Sequence, residues 1–153
     1  MKNILIVYHS QSGHTQKMAE AVREGVDSID GARACAKQAG QATLDDLLAS
    51  DGFIIGSPEY FGYMAGALKD FFDRTYEPAR GSRGIFRKPY AVFIAAGNDG
   101  AGALASIERI CRGYQFKKVF EPIVIKGDIT DQALARCREL GQTIAAGCVN
   151  EIY

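Results

Sequence analysis

Three apolar runs constrain this chain more than any other feature: Ile4-Leu5-Ile6-Val7-Tyr8, Phe53-Ile54-Ile55-Gly56 and Tyr90-Ala91-Val92-Phe93-Ile94-Ala95-Ala96. Each is continuous rather than alternating, the pattern of a strand covered on both faces, as strands of parallel sheets are. Parallel neighbours need crossovers, and the intervals between the runs carry helical stripes. Met18, Val22 and Val26 recur four apart over residues 13–28. Met64, Leu68, Phe71, Phe72 and Thr75 form a wide apolar face, Leu104, Ile107, Cys111 and Tyr114 another, and Leu134, Cys137, Gly141, Ile144 and Cys148 the last. Thr43-Leu44-Asp45-Asp46 predicts a short helix in which Thr43 accepts from the Asp46 amide.

Two weaker strands complete the count. Residues 31–38 offer Ala and Cys where Val or Ile would be stronger, and 119–125 is broken by Pro122, which suits an edge or a bulge. Residues 77–89, with Gly81, Gly84, Arg80, Arg83, Arg87 and Lys88, read as a surface loop. The result is β-α repeated five times: an α/β three-layer sandwich whose five-stranded parallel sheet has helices on both faces and the Ile4–Tyr8 run as its central strand. A chain of 153 residues is expected to form a single domain over 1–153.

Lys+Arg and Asp+Glu both number 18, with no run of like charge, so no electrostatic footprint for nucleic acid or an anionic membrane is present. The expected partners are small molecules, with no nucleic acid and no membrane insertion. No apolar stretch nears the ~20 residues of a membrane helix and no cleavage site follows the first run, which reads as cytoplasmic. Cys35, Cys111, Cys137 and Cys148 lack metal-ligand spacing and read as structural thiols, and no third ligand is spaced for His9 and His14. No metal is expected.

In an open parallel sheet, ligands sit beyond the carboxyl ends of the strands. Three loops leave those ends. Ser10-Gln11-Ser12-Gly13-His14-Thr15 opens a helix with hydroxyls and free amides and has no Lys or Arg, a pocket for phosphate held without countercharge. Pro58-Glu59-Tyr60-Phe61-Gly62-Tyr63 brings aromatic rings beside a glycine. Gly97-Asn98-Asp99-Gly100-Ala101-Gly102 offers glycine-exposed backbone. A flat ring system with a phosphate at one end would use all three. A phosphorelay receiver would need acids after the first strand and an Asp at the end of the third, where this chain has Tyr8-His9 and Gly56-Ser57. A P-loop needs Gly-Lys-Ser/Thr and finds Gly13-His14-Thr15, and neither G-x-G-x-x-G after the first strand nor G-x-S-x-G occurs.

Ile6-Val7-Tyr8-His9-Ser10-Gln11-Ser12-Gly13-His14-Thr15 resembles the FMN phosphate loop of the flavodoxin-like superfamily, with His14 where Asn is usual. Gly56-Ser57-Pro58-Glu59-Tyr60-Phe61-Gly62-Tyr63 and the helix after it are similar to the second flavin loop of the NAD(P)H:quinone oxidoreductases related to tryptophan repressor-binding protein. The resemblance implies strand order 2-1-3-4-5 and FMN as cofactor, with NAD(P)H as electron donor. Ser10 to Thr15 would hold the phosphate, Pro58, Glu59, Tyr60, Phe61 and Gly62 would line the isoalloxazine, and Ala96, Gly97, Asn98, Asp99 and Gly100 would close its pyrimidine side. It implies reduction of a quinone or a flavin by hydride transfer, which asks no acid or base of the protein, so no catalytic side chain is named. The alternative is a flavodoxin-type one-electron carrier that docks to redox proteins, against which stand the neutral charge and the basic residues from Arg80 to Lys88. The long insertion that helps build a tetramer in the quinone reductase branch is missing, and a homodimer is the assembly carried forward.

Overall fold

The computed structural model describes residues 1–153. In chain order the elements are β1 (Lys2–Tyr8), α1 (His14–Asp27), β2 (Ala32–Gln38), α2 (Leu44–Ala49), β3 (Gly52–Pro58) and α3 (Gly66–Ala79). They continue with β4 (Pro89–Ala96), α4 (Ala101–Tyr114), β5 (Lys117–Lys118), β6 (Ile123–Lys126) and α5 (Asp131–Val149). All strand pairs are parallel, in the order β2-β1-β3-β4-β5, with β6 also on β4.

This is the flavodoxin-like order expected from the sequence, with two differences. The last strand is split, β5 pairing at Pro89 and Tyr90 and β6 at Phe93 to Ala96, because Pro122 has no N–H to continue the ladder between them. The middle position belongs to β3 rather than β1, which lies beside it. Both are buried on their two faces, so burial alone does not rank them.

The alternating side chains of the sheet feed two cores. Leu5, Val7, Phe53, Ile55, Tyr90 and Val92 pack under α2, α3 and α4, and Ile4, Ile6, Ile54, Ala91 and Phe93 pack under α1 and α5. Each fully buried side chain of this size contributes about 1.5–3 kcal/mol relative to exposure. Helices α1 and α5 pack backbone to backbone: a Cβ at Gly141 would overlap the Val22 carbonyl, and one at Gly25 the Arg138 carbonyl. The predicted cap of α2 is present as a reciprocal box, Thr43 Oγ1 accepting from the Asp46 amide at 3.2 Å and Asp46 Oδ2 from the Thr43 amide at 2.9 Å.

Residues 77–89 are not a plain surface loop. Helix α3 runs on through Pro78 and ends one residue later at Ala79, the proline removing one N–H from its last turn. It begins at Gly66, so Met64 is buried ahead of it rather than on its stripe. Ile85 and Lys88 are buried, and the Lys88 ammonium donates to the Ser50 carbonyl, with no carboxylate in ion-pair range. Burial lowers its pKa to about 8. All four cysteines are free, and burial pushes the Cys137 and Cys148 thiols up to about 11. No helix is long and apolar enough to cross a membrane.

Candidate functional site

The three loops meet at the carboxyl ends of β1, β3 and β4. They line one cleft of about 230 Å³, walled by Gln11, Ser12, His14, Thr15, Pro58, Glu59, Tyr60, Ala96 and Gly97, with Ala95 and Gly127 beside them. Glu59 is the only formally charged side chain in that wall, and no Lys or Arg lines it.

The first loop is shaped by Ser10. Its Oγ accepts from the amides of Gly13 and Gln16, both at 3.2 Å, so the side chain that ties the turn to α1 is Ser10 and not Ser12. Gly13 takes φ 99°, a left-handed conformation that favours glycine, and this turns the chain into the helix. The amides of Gln11, Ser12, His14 and Thr15 make no hydrogen bond within the protein. They gather at the positive end of the α1 dipole.

The second loop is a tight turn in which Tyr60 and Tyr63 exchange backbone hydrogen bonds of 2.9 and 3.0 Å. Phe61 and Gly62 form its tip with φ 52° and 71°, both left-handed. The Phe61 ring stands clear of the fold, fully exposed, and Phe61 and Gly62 rise beside the cleft rather than lining it. Ser57, fully buried, anchors the far side by accepting from the Ala65 amide at 3.0 Å.

Polar clasps fix the loops to one another. Tyr60 Oη donates to Gln11 Oε1 at 2.9 Å, joining the second loop to the first. The Asn98 amide donates to Glu59 Oε1 at 3.1 Å, joining the third loop to the second. In the third loop the amides of Gly97, Asp99 and Gly100 have no partner in the protein, and Asp99 Oδ1 instead accepts from Ala101 at the start of α4. The cleft therefore carries unpaired donors from its first and third loops and the Tyr60 ring from its second.

Sequence reasoning missed the turn after β6. Gly127 donates to the Ala96 carbonyl at 3.1 Å and closes one end of the cleft. The signal was available: Lys126-Gly127-Asp128 is a glycine turn at a strand's carboxyl end. Ser57 reads in the sequence only as part of the Gly56-Ser57-Pro58 motif, with no role of its own.

Residues 13–126 match the family model described as NADPH-dependent FMN reductase. The chain belongs to that family. A relative from Aquifex aeolicus named flavodoxin is 35% identical to this FMN reductase family member, over 67% of this chain and 54% of its own. One from Geobacter sulfurreducens, named NAD(P)H dehydrogenase (quinone), is 35% identical over 48% of each chain. This chain thus spans about half the length of the curated relatives it matches. Among solved structures, a flavodoxin from the domain Archaea superposes with a TM-score of 0.82 at 26% identity, covering 95% of this chain and 98% of its own.

A phosphorylated flavin fits the donor set. Unpaired amides on an uncharged loop suit a dianion, and the free amides of Gly97, Asp99 and Gly100 suit the carbonyl oxygens of a ring. A Cβ added at Gly97 or Gly127, the two glycines that line the cleft, would meet nothing within 4 Å, so the space there is not filled by packed side chains.

Proposed function

We propose that residues 1–153 act as one FMN-binding domain, and that this domain is an NAD(P)H-dependent oxidoreductase passing hydride through FMN to a quinone or a flavin. The observation that carries the reading is the convergence of the unpaired amides of Gln11, Ser12, His14 and Thr15 with that of Gly97 on one cleft without a cation. Family membership supports FMN as the cofactor and a nicotinamide as its donor.

Bound FMN would supply the redox chemistry, and the chain's residues supply position and electrostatics. Gln11, Ser12, His14 and Thr15 would hold the phosphate through backbone N–H, with the Thr15 hydroxyl, which has no partner in the protein, at the same wall. Tyr60, held by Gln11, would fix the ring plane at the second loop. The amides of Gly97, Asp99 and Gly100, which have no partner in the protein, would offer partial positive charge to the ring of a bound flavin. Glu59, engaged by the Asn98 amide, keeps that loop in place. All these residues come from one chain, so the reading does not require the homodimer. Free thiols and a nicotinamide donor suit a reducing cytoplasm.

One observation favours a second reading, a one-electron carrier: the relative named flavodoxin matches over 67% of this chain and the quinone dehydrogenase over 48%. Anaerobic addition of NADPH to the FMN-loaded protein separates the two. Loss of the visible flavin absorbance without any other protein is the expected result, and a spectrum that stays unchanged until a protein reductase is added would favour the carrier.

A further inference from the structure

We propose that Gly102, in the first turn of α4, is a positioning residue for the ring side of the cleft: its bare Cα is the seat on which the Gly62 carbonyl rests. A Cβ at position 102 would overlap that oxygen and would lie 2.8 Å from the Gly62 carbonyl carbon and 3.2 Å from its Cα. Real Cβ atoms do not approach so closely, so either the turn or the helix has to move. The helix cannot retreat easily. Ala103 next to it is fully buried in the core, and Gly100 before it leaves no room even for a Cβ, which would meet Val124, Ala96 and Ile94.

The turn is the part that yields. Its Phe61 ring packs against nothing, and two left-handed residues in succession leave its peptide planes dependent on outside support. That support comes from the same element on which the third loop ends. Asn98 takes hold of Glu59 at the base of the turn, and Gly102 backs its tip. Strand β3, the turn and α4 are thereby locked in one arrangement, and the direction of the Gly62 carbonyl is set by a residue outside the cleft wall. The inference rests on the FMN reading above, because it takes the turn of residues 60–63, which rises beside the cleft, as the ring side rather than the phosphate side.

Gly102→Ala tests it against Gly113→Ala, a control in the same helix where a Cβ meets nothing within 4 Å. Titrations followed by flavin fluorescence should show FMN and riboflavin weakened by the same factor in Gly102→Ala, about tenfold or more, with an altered visible flavin band. Inorganic phosphate, which reads the 10–15 loop alone, should bind both variants as it binds the wild type, and Gly113→Ala should keep wild-type FMN affinity. Wild-type FMN affinity and spectrum in Gly102→Ala would overturn the inference alone. Failure of the unsubstituted protein to take FMN would overturn the function reading and this inference with it. If Gly102→Ala does not fold, amide exchange in the wild type decides. FMN loading should slow exchange at Gly102 and Ala103, whose N–H groups have no partner in the protein, and unchanged exchange there would overturn the inference.

Discussion

At the scale of single residues, the site depends on which serine ties the first loop. Ser10 accepts two amides while the Ser12 hydroxyl accepts none, so Ser10→Ala should lower stability by about 1 kcal/mol and weaken FMN binding, with Ser12→Ala near neutral in stability. Urea unfolding of the two variants with parallel FMN titrations checks this. Lys88 sets a pH dependence. Its folded pKa of about 8 lies below the ordinary 10.5, so the unfolded chain binds more protons between those values. Stability contributed through this residue should therefore rise with pH from about 8 towards 10.5, by up to about 1.4 kcal/mol per pH unit, and its cost is fully present below 8. The Cys137 and Cys148 thiols, raised by burial, pull the other way, so the reading is the difference between wild type and Lys88→Met in urea unfolding at pH 7.5 and 9.5. A difference that does not change with pH would show that the amine titrates as if exposed. Nothing in the sequence marked Lys88 as buried. It sits among Gly81, Arg83, Gly84 and Arg87, and composition there speaks for solvent.

At the scale of elements, the strongly apolar runs and stripes were legible because hydrophobic periodicity is what burial selects. Met18, Val22 and Val26 are fully buried on α1, as their spacing predicts. What was not legible was how elements end. Pro78 inside α3 and the division at Pro122 depend on where each proline falls within a turn or a ladder, which the residue type does not fix. The close approach of α1 and α5 was also hidden, since Gly141 read as one more position on a stripe. A methyl there would overlap the Val22 carbonyl, so Gly141→Ala should destabilise by about 1–3 kcal/mol although alanine is the better helix former. For a chain of this size the melting temperature should fall by several degrees. A variant at least as stable as wild type would mean that the two helices slide apart at no cost.

At the scale of the molecule, the layered order of the sheet brings residues 10–15, 58–62 and 96–100 to one rim. The candidate site was legible in the sequence to that extent, because each loop follows a buried strand. Its internal ties were not: the Gln11–Tyr60 and Glu59–Asn98 bonds join residues 49 and 39 apart and have no local signature. The seat at Gly102 escaped for the same reason, whereas the turn at Gly127 carried a local signature in Lys126-Gly127-Asp128. The central claim is that these segments form one cleft for one FMN. Amide chemical shifts during a titration with FMN test it most directly. The account expects the resonances of 10–15, 59–62, 97–100 and Gly127 to move together and saturate at one equivalent. Saturation with shifts confined to another region, such as the surface around Arg80 to Phe86, or movement of one loop without the others, would contradict it.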